Sequence, residues 1–163
     1  MNTHENASPA PSTTTRRRIP WFFPVPVAER HNAWLPMRQV AFVGLLAQTR
    51  SVSAAAHRVG MARQGAYRLR KHPWSASLVA AWDAALGLDT TRAPATLPCP
   101  DRKTRVTHDE LVWRFEMGLW RPVMRNGQMI NFEQKPCTET FFQIVARFDK
   151  VAKGLREEDV FGR

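Results

Sequence analysis

The stretch from Ser51 to Lys71, SVSAAAHRVGMARQGAYRLRK, leaves few ways for the chain to fold. The Ser51 hydroxyl can cap a helix from Ser51 to Val59, whose Ala54, Ala55 and Ala56 let a neighbouring helix approach closely. Gly60 can adopt the left-handed conformation that ends a helix and turns the chain, and Met61 supplies an apolar plug beneath the turn. The next helix is expected from about Ala62 to Lys71, stopping before Pro73. Two short helices with so tight a turn cannot bury their apolar sides on each other alone. Other elements must pack around them.

Those elements are visible on both sides. Pro36 suits a first helical turn, and Val40, Phe42, Val43, Leu45, Leu46 and Ala47 follow with helical spacing until Thr49 and Arg50. Ser75 or Ser77 can cap a further helix reaching Leu86–Gly87, with Leu78, Val79, Trp82, Ala85 and Leu86 inward. Trp21 to Val27, WFFPVPV, is aromatic and proline-rich, so it should be extended and packed on the first helical unit or a partner subunit. Residues 1–20 are polar and end in Arg16, Arg17 and Arg18. They are expected to be a disordered basic tail, either solvated or laid along a nucleic-acid groove.

Residues 89–105, DTTRAPATLPCPDRKTR, show no period and read as a linker. Beyond it, Thr107-His108-Asp109-Glu110 matches a capping box, and a helix through Met117 should bury Leu111, Val112 and Phe115. Asn126-Gly127 is a strong two-residue turn signal, so Trp120 to Lys135 is expected to form a hairpin. A last helix is expected from Thr138 to about Lys153, with one apolar stripe of Phe141, Ile144, Val145, Phe148, Val151, Ala152 and Leu155. The expected fold is mainly α: a helical bundle over 21–88, then a small α+β unit of helix, hairpin and helix over 106–163. That second unit is too small for a comfortable core, so it should pair with another copy or with the first unit.

Charge narrows the partners. The chain carries a formal net charge of +10. Between His31 and Trp82 there is no Asp or Glu, while Arg38, Arg50, Arg58, Arg63, Arg68, Arg70 and Lys71 all fall there. A field of that kind favours phosphate contacts.

The segment from Val52 to Lys71 is similar to the helix-turn-helix signature of bacterial and phage DNA-binding proteins. Ala55, Val59, Met61, Ala66 and Leu69 stand at the interior places of that signature, Ala56 at its tightly packed alanine and Gly60 at its turn glycine. The longer run through Tyr67–Arg70 and Ala81–Leu86 resembles small bacterial helix-turn-helix proteins, and the layout is similar to phage small terminase subunits. The resemblance implies double-stranded DNA as partner, with the second helix in the major groove. By chemistry, Arg63 and Gln64 would grip guanine and adenine edges, and Arg68 would read a base or hold a phosphate. Ser51, Arg58, Tyr67 and Lys71 suit phosphate contacts, with Arg38 and Arg50 as flanking candidates; Arg70 should point away from DNA.

No catalytic residue is expected. The chain lacks a Gly-rich loop ending in Gly-Lys-Ser/Thr, and its single tyrosine, Tyr67, lies inside the motif. The histidines are scattered, and Cys99 and Cys137 have no metal-ligand spacing, so no metal or cofactor is expected. Glu133-Gln134-Lys135, with Asp109, Glu110 and Glu116, matches the acidic-x-Lys pattern of metal-dependent nucleases; a surface pair on an edge strand is the simpler reading. No apolar run approaches a bilayer-spanning length, so a cytoplasmic, nucleoid-associated location is expected. The sequence therefore points to a transcriptional regulator, most simply a homodimer, with the second unit pairing the copies or binding a protein partner. A phage DNA-packaging or recombination accessory protein is the alternative, and a protein-interaction module that never meets DNA is the third.

Overall fold

A computed structural model describes residues 18–28, 33–88 and 106–161. The tail before Arg18 and the linker of 89–105 lie outside these residues. The described chain is mainly helical with one two-stranded antiparallel sheet.

The first four helices are α1 (Pro36–Thr49), α2 (Val52–Arg58), α3 (Arg63–Arg70) and α4 (Ala76–Leu86). Each begins or ends where a local signal stands. Pro36 opens α1, the Ser51 hydroxyl accepts from the Ala54 N–H at 3.4 Å above α2, and Gly87 ends α4 at φ +73°. Phe42 and Trp82 lie at the centre, their rings 4.8 Å apart, with Val40, Val43, Leu46, Ala55, Ala56 and Leu78 fully buried around them.

Beyond the linker come α5 (His108–Met117), β1 (Leu119–Arg125), β2 (Gln128–Lys135) and α6 (Thr138–Phe161). Asn126 and Gly127 both take positive φ, as a primed two-residue turn requires. The strands pair from Leu119↔Lys135 to Arg125↔Gln128, with an irregularity that leaves Ile130 unpaired and exposed. The Thr107 hydroxyl accepts from the Glu110 N–H at 3.2 Å, so only half of the expected capping box forms. The Glu110 carboxylate turns instead to Arg114, one helical turn on, in a nearly buried ion pair.

The second unit packs against the first. The hairpin lies on α1, where a Cβ on Gly44 would collide with Met129, and Trp120, Met124 and Phe132 join the central core. Three expectations change here. Phe115, expected on the buried side of α5, is 44% exposed; only Leu111 of that trio is fully buried. The apolar stripe of α6 is largely exposed as well, because α6 packs on α5 alone to any extent. The helix also runs on past Lys153 to Phe161.

The extended segment of residues 18–28 ties the units together. Ile19, within the stretch expected to be tail, is buried, and Phe22, Phe23 and Val25 are almost fully so. Phe22 forms an antiparallel bridge with Trp120, its N–H and carbonyl exchanging hydrogen bonds of 3.0 and 2.8 Å. The Phe23 N–H donates to the Ser77 hydroxyl (3.1 Å), and the Trp113 indole N–H donates to the Pro24 carbonyl (2.7 Å). The wholly buried Gln39 amide completes the clamp. It accepts from the Val25 N–H at 2.8 Å and donates to the carbonyls of Val25 (2.8 Å) and Trp34 (2.7 Å). A side chain of α1 thus pairs with the segment as a neighbouring strand would.

Candidate nucleic-acid interface

The turn between α2 and α3 is built as its sequence suggests. Gly60 sits at φ +71°, and the Met61 N–H donates to the Ala56 carbonyl at 2.9 Å, folding the chain back under α2. Ala66 and Leu69 are buried, which fixes the rotation of α3 about its axis. With 3.6 residues per turn, Arg63, Gln64, Tyr67, Arg68 and Lys71 then share the opposite side. All five are exposed. Ala62 and Lys71, taken as the ends of the helix from sequence, flank α3 as its caps.

Ser51 and Arg58, at the two ends of α2, are exposed too. Ser51 uses its oxygen as the cap acceptor, and its O–H has no acceptor among the described residues. Tyr67 is 43% exposed, and its ring leans toward Trp82 of α4 at 6.0 Å.

The basic residues divide into two sets. Arg70 is held inward by Asp83 at 2.9 Å and stacks over Trp82 at 5.2 Å, so it ties α3 to α4. Arg38 donates to the Ala33 carbonyl at 3.1 Å, and Arg50 lies beside Gly87. Arg70 and Arg38 are thereby tied to the fold, whereas Arg50 is exposed at the end of α1. Arg58, Arg63, Arg68 and Lys71 have no acidic partner among the described residues, so their charge faces outward uncompensated.

Trp34 and His72 lie behind α3 and carry no sequence signal of that role. Gly65 turns inward, and a Cβ there would lie 2.6 Å from the Trp34 indole nitrogen. Its smallness therefore serves packing on Trp34. Beneath the helix an open cleft of about 530 Å³ is lined by Val25, Trp34, Gly65, Arg68, Leu69 and His72.

His72 is among the residues that line this cleft. Its backbone N–H donates to the Leu69 carbonyl (3.2 Å), and its Nδ1 accepts from the Trp74 N–H (3.1 Å). Burial pushes the imidazole below its ordinary value, opposed in part by the Glu110 carboxylate. The fold thus favours neutral His72. Its contribution to stability is present above the unfolded value near 6.5 and is lost as pH falls through the lower folded value. Thermal melts between about pH 8 and pH 5 should show a falling midpoint on the acid side, and His72→Gln should flatten that fall. An unchanged slope in the variant would remove His72 from the acid response.

The acidic-x-Lys pattern is dispersed. Glu133 pairs with Arg121 at 2.6 Å, and Lys135 lies over the Trp21 ring at 4.4 Å. Glu110 is committed to Arg114, while Asp109 and Glu116 are exposed on α5. Among the described residues no group of three or more His, Cys, Asp or Glu side chains is placed to hold a metal ion. Among them, too, no helix is long and apolar enough to cross a membrane.

Comparison with protein-family models, with curated proteins and with solved structures finds no match. The functional reading therefore rests on the α2–α3 geometry.

Proposed function

We propose that the chain is a sequence-specific double-stranded DNA-binding protein, acting as a transcriptional regulator that reads the major groove with α3. One observation carries this reading. Five exposed polar side chains, three of them cationic and without acidic partners among the described residues, share one side of a short helix held by a tight glycine turn. Arg63 and Gln64, on the first turn, are assigned to base edges, because both residue types make two hydrogen bonds to a single base. Arg68 lies one turn on and reads a base or clamps a phosphate. Ser51, Arg58, Tyr67 and Lys71 hold the backbone and set the register. One such helix covers only a short half-site, so two copies on a two-fold site supply the affinity.

Selection of bound fragments from a random DNA pool tests binding and yields the site together. Enrichment of one sequence, with affinity falling steeply as salt rises, is the expected result. No retained fragment at low salt would sink the proposal. The same head would serve a DNA-packaging accessory protein, and a ring of many copies in a mass measurement would favour that role.

A further inference from the structure

The layer formed by α5 and α6 has an outer face that no described residue covers. The two helices run antiparallel: His108 meets Phe148 with ring centroids 5.9 Å apart, and Phe115 meets Phe141 at 5.8 Å. Arg147 fixes the layer to the chain before α5 by donating to the Val106 carbonyl at 2.6 Å. With α5 and α6 so joined, Phe142, Phe148 and Val151 are left 66%, 61% and 61% exposed, beside the part-exposed Phe115, Phe141 and Val145. Taking about 200 Å² for a whole Phe, the five of these other than Val151, which projects from the opposite side of α6 to Phe142, present roughly 500 Å² of apolar surface. That is near the upper end of what a monomer exposes in one patch, roughly 300–600 Å².

The spacing and the charge say what covers it. Phe141, Val145, Phe148 and Ala152 follow one another at intervals of 4, 3 and 4 residues, the seam of helices that pack along their length. Phe142 widens that seam beyond what a simple two-helix contact buries, as in a four-helix arrangement. The chain as a whole is strongly basic, yet apart from the nearly buried Glu110–Arg114 pair, α5 with residues 138–154 of α6 holds four acids (Asp109, Glu116, Glu139, Asp149) against three bases (Arg147, Lys150, Lys153). A mixed, nearly neutral rim does not repel a copy of itself, and in a two-fold contact each sign can meet its opposite. An anionic lipid surface would instead select a rim of one sign.

We infer that the exposed face of the α5–α6 layer is a homodimer interface, in which two copies pack face to face as a four-helix core. This deepens the DNA-binding reading, which calls for two copies, but its test needs no DNA. The patch supplies the apolar centre of a standard interface of about 800 Å² per partner, and the charged rim supplies the remainder.

Sedimentation of the full chain at micromolar concentration, without DNA, should give about twice the chain mass of 18.6 kDa. Phe142→Glu with Phe148→Glu places charge in the centre of the interface and should weaken association at least about 100-fold, leaving a monomer with unchanged far-UV circular dichroism. Both side chains are more than half exposed in the single copy, so the fold should survive. Should that variant aggregate, Val145→Lys, on the same seam, carries the same test. A monomeric wild type, a ring of many copies, a dimer indifferent to these substitutions, or a monomer that floats with phosphatidylglycerol vesicles would each overturn the inference. A monomer that still retains DNA removes the pairing alone. A dimer that retains no DNA removes the DNA-binding reading and leaves the interface standing.

Discussion

Gln39→Leu is expected to destabilise the protein by about 3–5 kcal/mol, although the two side chains are similar in size. The substitution removes three hydrogen bonds at once, to the Val25 N–H, the Val25 carbonyl and the Trp34 carbonyl, in a site closed to water. Each buried backbone group left without a partner costs about 1–3 kcal/mol, and the added apolar packing offsets only part of that. Denaturant unfolding of the variant measures the change. Gln39→Glu should also destabilise, since it keeps the acceptor for Val25 but has no amide to donate. A Leu variant as stable as wild type would show that the segment of residues 18–28 holds its place without the clamp.

Replacing Arg63, Arg68 and Lys71 together with Ala should abolish specific DNA retention at moderate salt. The steepness of log affinity against log salt should fall by about 0.9 for every phosphate that is no longer neutralised, and removing a base-reading arginine should cost about 1–3 kcal/mol at its own base position. The three side chains are exposed and pair with no acid among the described residues, so thermal stability should stay near that of wild type. The single variants separate the roles. Arg63→Ala should relax preference at one base pair, whereas Lys71→Ala should weaken all sequences about equally. Equal weakening on every sequence for Arg63→Ala would reassign that residue to the backbone.

Local chemistry explains why so much of the fold is legible in the sequence. Pro36, Ser51, Gly60, Gly87, Thr107 and Asn126-Gly127 each mark a boundary by a short-range steric or hydrogen-bond preference, and each boundary stands within a residue or two of its mark. The outward side of α3 is legible for the same reason, because Ala66 and Leu69 can only face in. Long-range pairings leave no such trace. Nothing in the spacing of Gln39 and Val25, or of Trp113 and Pro24, says that they meet. Glu110 is legible as a cap but not as the partner of Arg114, since both roles suit a Glu on a first turn. The stripe of α6 is visible only as a stripe. Periodicity reports an apolar face and not what lies against it, so its exposure emerges only from the fold.

The clamped segment has a consequence for how the protein is made. Its partners Trp113 and Trp120 lie about 90 residues downstream, so at about 5–20 residues per second the ribosome delivers them roughly 5–20 s later. For that interval Trp21, Phe22 and Phe23 have left the synthesis site while the sheet that receives them does not yet exist. Three consecutive aromatics, with Arg18 just ahead and prolines at 20, 24 and 26, wait together. The prolines deny that stretch the regular strand pairing through which nascent chains stick to one another. What looks in the finished molecule like a fastening is, during synthesis, a guarded adhesive.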